Sequence, residues 1–251
     1  MNILLTNDDG INGEGLIVLK EALEKIEGVN LNVIAPDRER SACSHSITVF
    51  EPLILKEVDH QTYTLNGSPA DCVKIALDGF LKNQIDLVLS GINNGPNMGI
   101  DVYYSGTAAG AREAVFHSVP GVAFSIDGYT HEKQFESACH YALKVIDQVR
   151  QNKLTEGVYL NVNFPNIPKE KVNGFEITCL GKRVYQDQVI ERETPFGSKY
   201  FWIGGELPAY HFKENSDFMA VENQKVSITP LQLDVTCYST KKILKEWNFD
   251  I

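Results

Sequence analysis

Hydrophobic and polar positions alternate in blocks along the first 165 residues of the chain. Short apolar runs of strand length are followed by longer stretches with an apolar residue every three or four positions, the spacing of an amphipathic helix. This alternation predicts a doubly wound, three-layer α/β fold with a mostly parallel sheet. The predicted strands are 2–6, 31–35, 86–89, 119–125 and 158–163. The predicted helices are 15–26, a segment that begins after Ser68, 106–116 and 131–150.

Two regions depart from this alternation. Between residues 47 and 65, two β-like runs predict an inserted hairpin or edge strands at 53–57 and 62–65. After about residue 165, short β-like runs separated by turn residues occur at 176–180, 183–192 and 200–203, and a last strand is predicted at 226–229. We therefore expect a core over residues 1–165 and a C-terminal extension over 166–251 that carries a β-hairpin arm.

Aromatic side chains are concentrated in this predicted arm. They are Tyr185, Tyr200, Phe201 and Trp202. Because aromatic residues are enriched both in cores and in interfaces, they pack either on the chain's own core or on another subunit.

Composition places the chain among ordinary globular proteins. It has 251 residues, of which 43% are hydrophobic and 22% are charged, and it is long enough to bury a sizeable core. The formal charge of −10 argues against a nucleic-acid partner, since such proteins usually present a basic face. The five cysteines include no CxxC pair, which favours neither a disulfide framework nor a zinc site. Neither an apolar stretch near ~18 residues nor a signal sequence is visible, so we expect a cytoplasmic protein with no membrane partner.

The first predicted strand ends in the polar turn Asn7-Asp8-Asp9-Gly10. In open α/β sheets, the loops that follow parallel strands hold the ligand site. Two adjacent carboxylates repel each other there and resist desolvation unless a cation lies between them. Oxygen ligands of this kind suit hard cations such as Mg²⁺, Mn²⁺ or Ca²⁺. The structural alternative is that Asp and Asn simply favour turns and helix N-caps.

Three further polar loops, 35–46, 66–71 and 90–99, can meet this turn. Ser41 and Asn93 offer neutral oxygens to a cation. The third loop continues into Ser105-Gly106-Thr107 at a helix start, where free N–H groups and two hydroxyls can bind an anion. A carboxylate-bound cation that faces an anion-binding helix end suits phosphoryl chemistry. The structural alternatives are a plain N-cap for Ser105 and, for His45, a hydrogen-bonding scaffold role instead of a proton shuttle.

Six motifs occur in order over residues 1–125: Asn-Asp-Asp-Gly, Ala-Pro-Asp-Arg-x-Arg-Ser, His-Ser-Ile-Thr, Gly-Ser-Pro-Ala-Asp-Cys-Val, Ser-Gly-Ile-Asn-x-Gly-Pro-Asn-x-Gly and Tyr-Ser-Gly-Thr. With these motifs the chain resembles the SurE family, the stationary-phase survival proteins that act as nucleoside 5′-monophosphate phosphatases. The resemblance implies a Rossmann-like domain with a C-terminal arm that is exchanged between subunits of a homodimer or homotetramer. It also implies metal-dependent hydrolysis of nucleoside 5′-monophosphates to nucleoside and phosphate, and leaves activity on 3′-nucleotides and polyphosphate open.

The resemblance also assigns site residues. It implies one divalent cation per subunit, Mg²⁺ or Mn²⁺, held by Asp8, Asp9, Ser41 and Asn93. The residues that it places near the phosphate are Asn97, Ser105, Gly106 and Thr107. Asp8, Asp9 and Asn97 are the expected catalytic residues.

Two other functions remain as alternatives. Aspartyl-phosphate phosphatases of the haloacid dehalogenase type also open with a strand and aspartates, but in the order Asp-x-Asp followed by Thr or Val. Here the two aspartates are adjacent and Gly10 follows, so the spacing of a nucleophile and its acid partner is missing. A non-catalytic regulatory protein could bind a nucleotide in the same pocket, although a pure binder needs no adjacent carboxylate pair.

Overall fold

A nine-stranded sheet forms the centre of the computed structural model, which describes residues 1–128, 132–184, 187–205, 209–211 and 213–249. The thirteen strands of these residues are β1 (Asn2–Thr6), β2 (Asn30–Pro36), β3 (Leu55–Asp59), β4 (Thr62–Leu65), β5 (Leu87–Asn94), β6 (Gly121–Ile126), β7 (Val158–Phe164), β8 (Phe175–Ile177), β9 (Lys182–Val184), β10 (Asp187–Glu193), β11 (Lys199–Gly205), β12 (Ala209–His211) and β13 (Val226–Gln232). The order in the large sheet is β3-β4-β2-β1-β5-β6-β7-β13-β8. The run from β4 to β7 is parallel, while β3 and β13 pair antiparallel with β4 and β7. The predicted doubly wound, mostly parallel sheet is confirmed.

Helices cover both faces of this sheet. The helices of the described residues are α1 (Glu14–Leu23), α2 (Pro69–Ile75), α3 (Gly106–Phe116), α4 (Phe135–Gln151), α5 (Asp217–Glu222) and the exposed α6 (Tyr238–Leu244). A π-helical turn at Ala76–Phe80 continues α2, and 3₁₀ turns occur at Gly99–Tyr103 and Lys169–Lys171. Strand β1 shows how the layers arise, because its side chains alternate between the two faces. Ile3 and Leu5 join the core of α1 and α4, whereas Leu4 joins the core of α2.

Hydroxyl caps fix the starts of α2 and α3. The Ser68 hydroxyl accepts a hydrogen bond from the Asp71 N–H at 3.0 Å, and the Asp71 carboxylate accepts from the Ser68 N–H at 2.9 Å. Together these two bonds form a capping box at the helix start that the sequence predicts after Ser68. The Ser105 hydroxyl likewise accepts from the Ala108 N–H at 2.9 Å. The N-terminus of α3 lies at the edge of the sheet where the parallel strands end, because Thr107 in its first turn donates to Asp8, just after β1.

The pattern of apolar and polar residues predicted the elements of the C-terminal extension less well than those of the core. The hairpin arm is confirmed as β10 paired antiparallel with β11, but the single run predicted at 183–192 is divided between β9 and β10. Strand β9 pairs with β12, which the pattern did not predict, and α5 was also missed. Two predicted features lie outside the described residues, namely the start of the fourth helix at His131 and the arm residue Tyr185.

Part of the extension continues the central sheet. Strand β13 pairs with β7, and β8 pairs with β13, so both lie beyond the last strand of the predicted core. The division at residue 165 stays a prediction. Every helix in the described part of the chain is too short or too polar to cross a lipid bilayer.

Candidate functional site

The carboxyl ends of β1, β2 and β5 meet at Asp8 and Asp9. Asp8 follows β1 and has only 4% of its surface exposed. The N–H of Arg40, in the loop after β2, donates to the backbone oxygen of Asp8 at 2.7 Å. The N–H of Asn94, at the end of β5, donates to Oδ2 of Asp9 at 3.0 Å. Three of the polar loops therefore converge on the carboxylate pair, as the sequence predicts.

The start of α3 packs directly on Asp8. The Thr107 hydroxyl donates to Oδ1 of Asp8, and the Thr107 N–H donates to Oδ2 at 3.2 Å. A Cβ on Gly106 would lie 2.9 Å from the Asp8 Cβ and 2.8 Å from the Cys43 sulfur, so a side chain does not fit there. Gly106 thus allows the close approach of helix and carboxylate, while Thr107 directs its hydroxyl to Asp8.

Burial dominates the electrostatics of the pair. It raises the pKa of Asp8 to about 6, opposed by the Thr107 hydrogen bond and reinforced by the negative charge of Asp9. Burial also raises the pKa of Asp9, and the Asn94 N–H partly offsets this effect. Both raised pKa values mean that the protein stabilises the charge of these carboxylates poorly. A cation bound between the two carboxylates would therefore lower the free energy of the ionised pair.

The two neutral oxygens proposed for a cation belong to Ser41 and Asn93. The Asn93 side-chain N–H donates to the Gly95 carbonyl at 2.8 Å, which leaves its Oδ1 as the group that can bind a metal. The Ser41 hydroxyl donates to Glu39 at 2.8 Å and keeps its oxygen lone pairs. Together with the two carboxylates, this amide oxygen and this hydroxyl would give an all-oxygen set of the kind that suits a hard divalent cation. Because no group of three or more His, Cys, Asp or Glu with metal-binding geometry occurs among the described residues, the set depends on these two neutral oxygens.

Asn97 is held by three polar side chains that sequence reasoning missed. Its N–H donates to Oδ1 of Asn163 at 2.9 Å, and its carbonyl accepts from the side-chain amide of Asn161 at 2.8 Å. Its own amide donates to the Ser125 hydroxyl at 2.8 Å, and the second amide hydrogen can reach a ligand. A signal was available, because Asn161 and Asn163 occupy alternate positions of an otherwise apolar strand and so share one face.

Ser105 is an N-cap, and its hydroxyl can still act on a ligand. It accepts from the Ala108 N–H, so its own hydrogen remains for donation to an anion. The loop that carries Ser41 is tied to the segment before this cap. The Ser44 hydroxyl donates to the Tyr103 carbonyl at 2.6 Å, and the Ser44 N–H donates to the Tyr104 carbonyl at 2.9 Å. The proposed metal-binding and phosphate-binding segments are therefore joined by two hydrogen bonds from Ser44.

His45 belongs to a hydrogen-bonded cluster on the side of α3. Arg112 Nε donates to its Nδ1 at 2.8 Å, so its Nε2 carries the hydrogen and donates to Glu113 at 2.6 Å. Glu113 is 4% exposed and also contacts His117 at 3.0 Å. Burial would raise the pKa of Glu113, but the hydrogen bonds from the two histidines hold it below its ordinary value. With both ring nitrogens engaged, the scaffold role is the alternative that these contacts support for His45.

Comparison with known proteins identifies the family and its fold. A family model described as "Survival protein SurE" matches residues 3–187. The chain belongs to the SurE family. Two curated relatives, both named 5′-nucleotidase SurE, are similar over 98% of each chain: one from Symbiobacterium thermophilum at 40% identity and one from Histophilus somni at 44%. The crystal structure of the SurE protein from Aquifex aeolicus superposes with a TM-score of 0.87 at 40% identity and also covers 98% of both chains.

Replacing Asp8 by Asn is expected to stabilise the chelated protein. The pKa of Asp8 is about 6 in the folded chain and ~3.9 in an unfolded one, so its charge costs roughly 3 kcal/mol above pH 6. The wild type loses this stability as pH rises from about 4 to 6, while Asp8→Asn does not. The Asn amide can donate to the Thr107 hydroxyl and accept from the Thr107 N–H. Urea unfolding in a chelator at pH 4 and pH 7.5 measures how much more stable Asp8→Asn is than the wild type at each pH. The prediction is contradicted if this gain in stability is the same at both pH values.

Replacing His45 by Ala is expected to lower stability and leave catalysis intact. The change removes one of the two histidine partners of Glu113 and the side-chain acceptor of the Arg112 Nε–H, which costs about 1–3 kcal/mol. Urea unfolding measures this loss, and phosphate release per folded molecule should stay near the wild-type value. His140→Ala, at an exposed histidine of α4, is the matched control, with an expected change within about 0.5 kcal/mol. A large loss of turnover without a loss of stability would instead support the proton shuttle.

Proposed function

We propose that this chain is a 5′-nucleotidase that hydrolyses nucleoside 5′-monophosphates to nucleoside and phosphate with one divalent cation per subunit. The observation that carries the proposal is the adjacent pair of a buried Asp8, which is packed against the N-terminus of α3, and a partly buried Asp9. Relatives named 5′-nucleotidase SurE, at 40–44% identity over nearly the whole chain, support the same activity.

The proposed metal ligands are Asp8, Asp9, Ser41 and Asn93, with Mg²⁺ or Mn²⁺ as the cation. When bound, such a cation polarises the phosphoryl oxygens and lowers the pKa of a coordinated water. Asp8 uses both carboxylate oxygens to accept from Thr107, whereas Asp9 accepts one N–H, from Asn94, on Oδ2. We therefore assign to Asp9, besides holding the cation, the task of orienting the attacking water or taking its proton, and to Asp8 only the task of holding the cation.

The proposed phosphate site consists of uncharged donors. They are the Asn97 amide, the Ser105 hydroxyl and the Gly106 N–H, and they lie beside Thr107, whose own N–H and hydroxyl donate to Asp8. With a net charge of −10, the chain repels an anion at long range, so binding depends on local attraction at the helix N-terminus and the metal site. Donors that are fixed before the reaction stabilise charge that moves onto the phosphoryl oxygens in the transition state.

Metal-dependent release of phosphate is the test of this function. Chelated protein should release no phosphate from a panel of 5′- and 3′-nucleotides and polyphosphate, and added Mg²⁺ or Mn²⁺ should restore release from the 5′-nucleotides. Asp8→Asn should lose about a thousandfold or more in kcat, because several kcal/mol of transition-state stabilisation go with the cation. The matched control is Asp86→Asn, a carboxylate that accepts the Asn2 N–H at the opposite end of the sheet. Full activity in Asp8→Asn contradicts the proposal, and nucleotide binding without release favours the regulatory protein.

We further propose that the chain forms a homodimer or homotetramer through its arm. Three consecutive side chains of β11, Phe201, Trp202 and Ile203, are 56%, 63% and 85% exposed. An apolar run of this kind on a hairpin is typical of a surface that another subunit covers. Sedimentation velocity should show a dimer or tetramer at micromolar concentration, and a single monomeric species contradicts the proposal.

A further inference from the structure

We propose that Asp217, a residue of the C-terminal extension, positions the phosphate-binding loop. Its carboxylate fixes the backbone turn that connects Asn97 to Ser105. The inference rests on the proposed function and adds to it a residue that contacts neither the proposed metal ligands nor the substrate.

The Asp217 carboxylate joins two distant parts of the chain. Its side chain is fully buried, and its Oδ2 accepts from the Gly99 N–H at 2.8 Å, across 118 residues of sequence. Its Oδ1 accepts from the N–H groups of Gly181 and Phe218 at 2.8 and 2.9 Å. Because an isolated buried carboxylate is very unfavourable, these N–H groups and the carboxylate hold one another in place.

The bond to Gly99 lies between the two proposed phosphate donors. Gly99 begins the 3₁₀ turn Gly99–Tyr103, and the Asp101 carbonyl then accepts from the Ser105 N–H at 3.0 Å. On the other side, Asn97 is two residues before Gly99 and is anchored on Asn163. A shift of the Gly99 backbone would therefore move Asn97, Ser105 or both.

Packing restricts the same turn. Gly99 has φ +55°, and a Cβ there would lie 2.8 Å from the Gly181 carbonyl and 2.9 Å from the Phe218 ring. Met98 forms a buried cluster with Phe218 and Val221 of α5. The loop thus packs against α5, and the hydrogen bond from Gly99 to Asp217 fixes the position of the loop along that helix.

Replacing Asp217 by Asn distinguishes the hydrogen bond from Gly99 from the two hydrogen bonds within the extension. Asn has one acceptor oxygen, whereas the carboxylate uses two. If that oxygen faces Gly181 and Phe218, the amide N–H₂ meets the Gly99 N–H, and donor faces donor. Asp217→Asn should therefore disrupt the contact with the loop and preserve most of the local structure of α5.

The experiment compares turnover, phosphate binding and metal binding in Asp217→Asn and the wild type. We expect kcat/KM for a nucleoside monophosphate to fall 10- to 100-fold, since displacement by about 1 Å has an effect of this size. The Kd for inorganic phosphate in the presence of Mn²⁺ should rise about tenfold. The Kd for Mn²⁺ should stay within about twofold, because Asp217 contacts none of the proposed metal ligands.

Thr178→Val is the matched control for a general loss of stability. The Thr178 hydroxyl is buried in the extension, where it bonds to Ser227 at 2.8 Å and to Thr229 at 2.7 Å. This variant should be less stable than the wild type but keep its kcat and phosphate affinity. Wild-type turnover and phosphate binding in Asp217→Asn, or an equal loss in Thr178→Val, overturns the positioning role.

Two further measurements keep the proposal testable. If Asp217→Asn does not fold, Phe218→Leu is the variant to measure, because it loosens the packing against Gly99 and leaves the carboxylate in place. We expect its phosphate affinity to fall about two- to fivefold. An unchanged phosphate affinity overturns the proposal. If the wild type releases no phosphate from any nucleotide, the proposed function fails. The titration with inorganic phosphate then still tests Asp217, since equal affinities in wild type and variant refute its role.

Discussion

The burial of Asp8 and the partial burial of Asp9, adjacent carboxylates at the end of β1, are the constraint on which the site depends. A desolvated charge is unfavourable, and the raised pKa of Asp8, about 6, shows that the surrounding donors only partly compensate. Those donors come from different loops: Thr107 at the start of α3 and the Asn94 N–H at the end of β5. Of the basic side chains nearby, Arg40 directs its guanidinium to the Asn66 carbonyl and Asp37, and Lys133, whose charge attracts Asp9, donates its hydrogen bonds to the Asp127 and Gly128 carbonyls. The charge is therefore left for a ligand to neutralise.

A second layer of polar side chains holds the neutral donors in place. Asn161 and Asn163 of β7 and Ser125 of β6 hold Asn97 from the sheet, and Asp217 holds Gly99 from the extension. Backbone N–H and carbonyl groups take up most of these contacts, so the loop keeps its shape without depending on long, mobile side chains. Rigid donors of this kind stabilise a developing charge without reorganising during the reaction.

Most of the fold could be predicted from local patterns in the sequence. The alternation of apolar runs and helical spacing predicted β1, β2 and β5 and the helices between them, because each buries a continuous face of the sheet. Side chains at a strand end must meet at one edge of a parallel sheet, so the convergence of Asp8, Asp9 and the loop of Ser41 followed from topology alone. Ser68 and Ser105 were recognisable as helix starts, since a cap needs only a few residues of sequence.

The contacts that complete the site depend on partners far apart in the chain, which a single sequence does not reveal. Helix α5 has six residues, too few to show a period, and Asp217 meets Gly99 across 118 positions. The change of pattern near residue 165 marks the end of the βα units, and it says nothing about which later residues reach back to the loops. A carboxylate buried in such an extension needs hydrogen-bond donors. Where an acidic residue stands next to an aromatic one after the alternation of strands and helices has ended, the functional loops are therefore the place to search for those donors.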